Sequence, residues 1–136
     1  MTSIAAAARP MFSFRNLNIA TTVIASLLFL ILLGAPDIAW WLFGIEGGES
    51  ADFVARRTAM LFAGIAALCW FTRNTPAGAA QSGIAKGLAL AMIGLVILGL
   101  SEWLRGFAGI GILLAVVTEL TLAVGYGRMA CYPSGR

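Results

Sequence analysis

The chain has 136 residues, of which 60% are hydrophobic and only 11% charged, and its formal net charge is +3. Water-soluble domains carry about 25% charged residues because water must solvate their surface, so this composition excludes an ordinary soluble domain and predicts a membrane protein. The basic residues stand singly or in one pair at the ends of apolar runs, which is typical of membrane-topology signals and not of nucleic-acid binding.

The first predicted element is a membrane span over residues 17–34, preceded by a cytoplasmic arm over residues 1–16. The arm contains Arg9 and Arg15 and no acidic residue. A secretory signal peptide is the alternative, and a mitochondrial presequence is a minor one. The apolar run is longer than a usual signal core, however, and it is followed by Pro36 with no A-x-A cleavage site. We therefore interpret the run as an uncleaved span.

A short interfacial segment is predicted after the first span. Pro36 and Asp37 interrupt the helix, and the apolar residues 38–43 are too few to cross a bilayer. The pair Trp40 and Trp41 is typical of the aromatic belt at a membrane surface. A polar loop follows, and the second span is predicted over residues 53–71.

The third and fourth spans are predicted over residues 83–104 and 107–127, with a tail over residues 128–136. Only Arg105 and Gly106 separate these two spans, and such a short connection predicts antiparallel neighbours. The sequence therefore predicts an all-α fold, an antiparallel bundle of four transmembrane helices.

Orientation follows from the distribution of lysine and arginine. With both termini inside, most of the nine basic residues are cytoplasmic, as the positive-inside rule requires. This predicts a multi-pass protein of a bacterial inner membrane with cytoplasmic N- and C-termini. The residues assigned to the cytoplasmic side are Arg9, Arg15, Arg73, Lys86, Arg128 and Arg136, against Arg56, Arg57 and Arg105 outside.

Three spans carry small residues at helical spacing, a pattern that predicts close packing between helices in lipid. The alternative is that glycine and alanine are simply common in this composition. The first span lacks such a stripe and is predicted to face lipid or a partner. The small residues are Ala59, Ala63 and Ala67 in the second span, Gly83, Gly87, Ala91 and Gly94 in the third, and Gly111 and Ala115 in the fourth.

Glu119 is the most deeply placed ionisable residue, about 18 Å below the outer boundary of a hydrocarbon core of about 30 Å. Ionisable groups inside spans are costly and therefore indicate a role. One hypothesis is a proton-coupling or substrate-binding carboxylate. The other is a neutral acid that ties two helices together through a hydrogen bond to a neighbouring hydroxyl.

A second polar group is predicted at the outer membrane surface. Arg56 is assigned to the bundle-facing side of the second span, whereas Arg57 is expected to extend towards the lipid head groups. Glu102 and Arg105 lie at the same level as Arg56, which predicts a cluster of the three. The alternative is two ordinary topology arginines and a solvated glutamate.

Residues 56–64 (RRTAMLFAG) and 113–120 (LLAVVTEL) resemble the DoxX-like small four-helix membrane proteins of bacteria. In that family a basic residue opens the second helix and a Glu-Leu pair falls in the last. The resemblance covers the second to fourth spans loosely. It implies a bacterial four-helix membrane protein but no particular activity, because the family is functionally diverse.

No enzyme is predicted, since the sequence offers no acid–base or nucleophile constellation. Histidine is absent, which excludes histidine-ligated haem, chlorophyll and zinc, and Cys69 and Cys131 are too far apart for a metal knuckle. We therefore expect no metal or cofactor. The predicted function is an accessory or scaffold subunit packed against other membrane proteins, in the manner of small respiratory or photosynthetic subunits. The alternative is a small oligomeric proton-coupled transporter that uses Glu119.

Overall fold

The computed structural model describes residues 13–131, and this part of the chain folds into five α-helices without a β-strand. Four of the helices have 20 to 26 residues and are apolar enough to cross a membrane, whereas the second has only eight. The predicted all-α, four-span membrane fold is confirmed. The helices are α1 (Phe14–Gly34), α2 (Pro36–Phe43), α3 (Glu49–Thr72), α4 (Ala79–Leu104) and α5 (Ile112–Cys131).

The first two helix boundaries have local causes. α1 begins before residue 17 because the Ser13 hydroxyl accepts a hydrogen bond from the backbone N–H of Asn16 and caps the helix. Pro36 then begins α2, where the missing N–H of proline has no helical partner to lose. Gly44, at φ +63°, ends α2 in the left-handed conformation. The predicted interfacial segment is thus a separate short helix.

The connection between α4 and α5 is longer than predicted. α5 begins at Ile112 and not at residue 107, and residues 105–111 form turns. The backbone N–H of Gly109 donates to the carbonyl of Phe43 in α2, at 2.6 Å. The segment therefore satisfies its backbone against another helix, which hydropathy alone does not reveal.

The four long helices form two antiparallel pairs, α1 with α3 and α4 with α5, joined where α1 contacts α5. We call the end where α1 and α4 begin the lower end, and the end that carries α2 the upper end. α1 is central, with Asn18, Thr21 and Ala25 buried against its neighbours. α1 packs through these residues and larger apolar ones instead of a small-residue stripe. Its other side, with Val23, Leu27 and Leu30, is exposed, so the prediction that it faces lipid or a partner stays a prediction.

The core divides into a lower and an upper cluster. The lower one includes Leu17, Leu88 and Leu122, and the upper one includes Leu32 and Ala59. The outer surface is rich in exposed apolar side chains on all four long helices. A surface of this kind is suited to contact with lipid.

The glycines of the small-residue stripe of α4 lie outside the bundle. Gly83 and Gly87 are exposed and Gly94 is partly exposed. A Cβ atom added at any of the three glycines would meet nothing within 4 Å. The prediction that these glycines pack within the bundle is therefore wrong, whereas Ala91 lines a cavity between the helices. The buried face of α4 instead holds Gln81, Ala85, Leu88, Ala89 and Met92, because the larger apolar side chains fill the space towards α5.

The predicted small residues of α3 and α5 have mixed positions. On α3, Ala59 is fully buried but Ala67 is exposed. Gly111 lies against the carbonyl oxygen of Leu42, so close that no Cβ fits between them. Ala115 is partly buried and faces the interior of the bundle. The fourth predicted span, which is α5, thus contributes its small residues to packing within the chain. The glycines of the third predicted span, which is α4, do not.

Candidate functional site

A polar network joins three helices near the lower end of the bundle. We define it as Asn18 and Thr21 of α1, Thr72 of α3 and Tyr126 of α5. The Asn18 amide nitrogen donates to the backbone carbonyl of Cys69 and to the Thr72 hydroxyl, each at 3.2 Å. The Tyr126 hydroxyl donates to the Asn18 carbonyl oxygen at 2.9 Å. Asn18 and Tyr126 are fully buried, so these bonds take the place of water.

The donors of the network follow from its geometry. Since the one hydroxyl proton of Tyr126 is used by Asn18, the Thr21 hydroxyl, 2.8 Å away, donates to the Tyr126 oxygen. Every buried polar atom of Asn18 and Tyr126 then has a partner. Sequence reasoning missed this network, although an asparagine one turn inside an apolar span is a signal that points to it. Its chemistry is structural, because it fixes α1 against α3 and α5.

Above the polar network lies an apolar cavity of about 270 Å³, which we call the central cavity. All five helices contribute to its lining. Thr21 and Leu122 form its floor, and Leu42 and Phe43 of α2 form its roof. Its walls are almost entirely hydrocarbon, so the cavity is suited to apolar matter and not to water.

Among residues 13–131, Glu119 is the one ionisable residue that lines the central cavity, and it is half-buried there. Within the same residues its carboxyl group has no hydrogen-bond or ion-pair partner. The hydroxyls of Thr118 and Thr121 donate to carbonyls one turn earlier in α5. The predicted hydrogen bond from Glu119 to a neighbouring hydroxyl is therefore wrong, because no hydroxyl of the described residues lies within bonding distance and geometry of the carboxyl group.

α2 is held over the central cavity by contacts that need both an aromatic donor and glycines. The indole N–H of Trp40 donates to the Asp52 carboxylate of α3 at 2.9 Å. On the other side of α2, the backbones of Gly44 and Gly109 are in contact, and Gly111 lies against the backbone carbonyl of Leu42 in α2. Side chains at these glycines would push the connection away from α2. The roof of the cavity is thus fixed from two sides.

The predicted outer cluster of three charged residues does not form. Glu102 near the end of α4 and Arg105, which directly follows the helix, make an exposed ion pair at 3.3 Å. Arg56 is exposed and makes no ion pair within the described residues, because Ala55 and Ala59 occupy the bundle-facing positions of α3. An exposed pair of this type adds less than about 1 kcal/mol.

The Arg57 side chain is directed towards the upper end of α3. Its guanidinium lies 5.8 Å from the centre of the Phe53 ring, one turn closer to that end. This is the direction expected of a basic residue inside a span that reaches for polar surroundings, and contact with lipid head groups stays a prediction.

Residues 13–131 contain no group of three side chains suited to holding a metal ion. Comparisons with protein-family models, with curated proteins and with solved structures find no match to this chain. The resemblance to the DoxX-like proteins stays a prediction. The candidate site is therefore described by its own chemistry: an apolar cavity, a single carboxyl group on its wall and a polar network beneath it.

Proposed function

We propose that the chain is a non-enzymatic accessory subunit that packs against other integral membrane proteins in a larger assembly. The observation that carries this proposal is the outer face of α4. Gly83 and Gly87 form a close-packing surface at helical spacing, yet the chain's own described helices leave it uncovered.

Such a face has a physical use in a bilayer. Lipid tails are as apolar as leucine, so helices associate through van der Waals contact and close backbone approach, which small residues allow. A helix with Leu88 and Met92 inside and glycines outside is suited to receive a second helix on its outer side. The partner class is therefore another transmembrane helix.

The proposal includes a location. The lysine and arginine distribution favours a bacterial inner membrane with both termini in the cytoplasm. In this orientation the lower end, with the polar network, is cytoplasmic, and α2 lies at the outer surface with Trp41, which is 82% exposed, towards the interface.

Two matched substitutions test the accessory role. Gly87→Leu adds bulk on the outer face of α4, and Gly64→Leu adds the same bulk on α3, where an added Cβ also meets nothing within 4 Å. After mild detergent extraction, native mass spectrometry of the wild type is expected to show a hetero-complex. We expect Gly87→Leu to lose it and Gly64→Leu to keep it, with both proteins folded. A wild-type homo-oligomer, or equal behaviour of the two variants, contradicts the proposal.

A second candidate, a small proton-coupled transporter that works as an oligomer, is favoured by Glu119. This residue lines a cavity and has no partner among the described residues, as a coupling acid that must release its proton requires. For this candidate, Glu119→Gln protein in proteoliposomes is expected to assemble normally but lose any flux driven by a proton gradient. A flux that is unaffected by this substitution would exclude it.

A further inference from the structure

We propose that the central cavity binds a small lipophilic amine, with the apolar body of the ligand between the helices and its ammonium group paired with Glu119. The proposal goes beyond the accessory role and does not depend on it, because it concerns the interior of the chain and not the outer face of α4.

The size and lining of the central cavity set the apolar part of the ligand. Its volume of about 270 Å³ exceeds the roughly 150 Å³ of an apolar cavity that accepts benzene, and it approaches the roughly 300 Å³ at which small-molecule sites begin. Side chains such as Ile24, Phe62 and Leu95 offer only hydrocarbon. One aromatic ring with a short alkyl arm therefore fits better than a large or polar molecule.

The polar groups around the cavity set the charge of the ligand. The Thr21 hydroxyl at the floor already donates to Tyr126, and the Thr118 hydroxyl donates within α5. No lysine or arginine among residues 13–131 lines the cavity, so Glu119 has no cation from this part of the chain to balance it. An ionised carboxylate among apolar side chains is costly unless it is paired. The ammonium group of a ligand can form an ion pair with this carboxylate. An acyl chain would leave the carboxylate unpaired, and an anionic ligand would be repelled by it.

The route of entry is through lipid. Leu27 of α1 and Leu114 of α5 line the cavity and are 54% and 63% exposed, so the wall of the cavity reaches the apolar outer surface of the bundle and leaves an opening there. A molecule that partitions into the bilayer reaches this opening directly. This favours an amphiphilic amine over a strongly hydrated cation, which would have to shed its water in hydrocarbon.

Three probes that differ only in their polar group test the proposal: 4-phenylbutylamine, the neutral n-butylbenzene and the anionic 4-phenylbutyrate. Saturable binding is measured by calorimetry on the purified chain in detergent micelles, with protein-free micelles as the blank. The variants are Glu119→Gln, which keeps the shape of the side chain, and Glu49→Gln, which removes an exposed carboxylate at the start of α3. Ala115→Leu narrows the cavity and keeps the carboxyl group of Glu119 in the chain.

We expect the amine to bind the wild type and Glu49→Gln equally. Glu119→Gln is expected to weaken amine binding about ten- to a hundredfold, because a partly buried charge pair is broken, and to leave butylbenzene unaffected. Ala115→Leu is expected to weaken both. The proposal is overturned if the folded wild type shows no saturable amine binding, or if the neutral or anionic probe binds as tightly as the amine. Equal amine affinity in wild type and Glu119→Gln overturns it too, and the comparison of probes on wild type decides even if a variant fails to fold.

Discussion

Replacing Tyr126 by phenylalanine tests whether the polar network holds the helices together. The substitution removes one oxygen atom from a fully buried side chain and keeps the ring, so packing is preserved. Two hydrogen bonds are lost, one to Asn18 and one from Thr21. The Thr21 hydroxyl can turn to a backbone carbonyl of its own helix, as the Thr22 hydroxyl does with the backbone carbonyl of Asn18. The side-chain oxygen of Asn18, in contrast, has no other donor to replace Tyr126.

The expected loss follows from these two bonds. Side-chain hydrogen bonds between transmembrane helices contribute about 0.6 kcal/mol each on average, so the bonds themselves account for about 1.2 kcal/mol. The buried Asn18 oxygen left without a donor adds to this, since such groups cost about 1–3 kcal/mol. We therefore expect Tyr126→Phe to lower the free energy of unfolding by about 2–4 kcal/mol.

The measurement is reversible unfolding in mixed micelles with increasing SDS, followed by circular dichroism. Thr121→Val is the control, because its exposed hydroxyl bonds only to its own helix, and we expect a change within about 0.5 kcal/mol. In the double variant with Asn18→Leu and Tyr126→Phe, the free energy of unfolding is expected to fall by less than the sum of the two single losses. The reason is that the Asn18 side-chain oxygen, which Tyr126→Phe leaves without a donor, is then absent as well. A Tyr126→Phe protein as stable as the control, with additive effects in the double variant, would refute the reasoning.

Two further outcomes are expected. Gly111→Ala places a Cβ against the backbone of α2 and is expected to destabilise the fold by at least about 2 kcal/mol in the same unfolding assay. Gly127→Ala is the matched control within α5, because an added Cβ there meets nothing within 4 Å. It is expected to stabilise the fold by up to about 1 kcal/mol, since alanine favours a helix more than glycine does. Equal effects would show that the close approach to α2 is unimportant. In intact cells, a thiol introduced at Glu49 is expected to react with a membrane-impermeant maleimide, and native Cys131, exposed at the lower end, only after the membrane is opened. Cys69 is fully buried and gives no background. Labelling of Cys131 in intact cells would reverse the proposed orientation.

The number of spans was predictable because the mean hydropathy of about 20 residues indicates whether a helix can lie in lipid. It does not depend on which other helices the helix contacts. Which face of each helix turns inward was less predictable. On α4 the glycines at 83 and 87 favoured one face, while Leu88 and Met92, on the other, are the residues that the bundle buries. Small residues permit close contact, but they do not say whether the contact lies within the chain or with another protein.

The site was predictable only in part, for a related reason. The depth of Glu119 was counted from residue 107 as the first helical residue, whereas α5 begins at Ile112, so this depth stays a prediction. The structure places Glu119 on the wall of the central cavity. Its lack of a hydrogen bond did not follow, since that depends on which side chains of the other helices come within reach of the carboxyl group. The pairing of Asn18 with Tyr126 joins residues 108 positions apart. Such a pairing is set by the packing of α1 against α5, which no local pattern encodes.

The apolar lengths of α3 and α4 have a consequence for the surrounding bilayer. α3 has 24 residues, but Arg56 and Arg57 fall near its beginning, and its uninterrupted apolar part, residues 58–72, spans only about 22 Å. In α4 the apolar part between Lys86 and Glu102, residues 87–101, also spans about 22 Å. A hydrocarbon core of about 30 Å is thicker than either of these apolar parts. We therefore expect the bilayer to become thinner around the protein, with the Arg57 side chain directed towards the upper end.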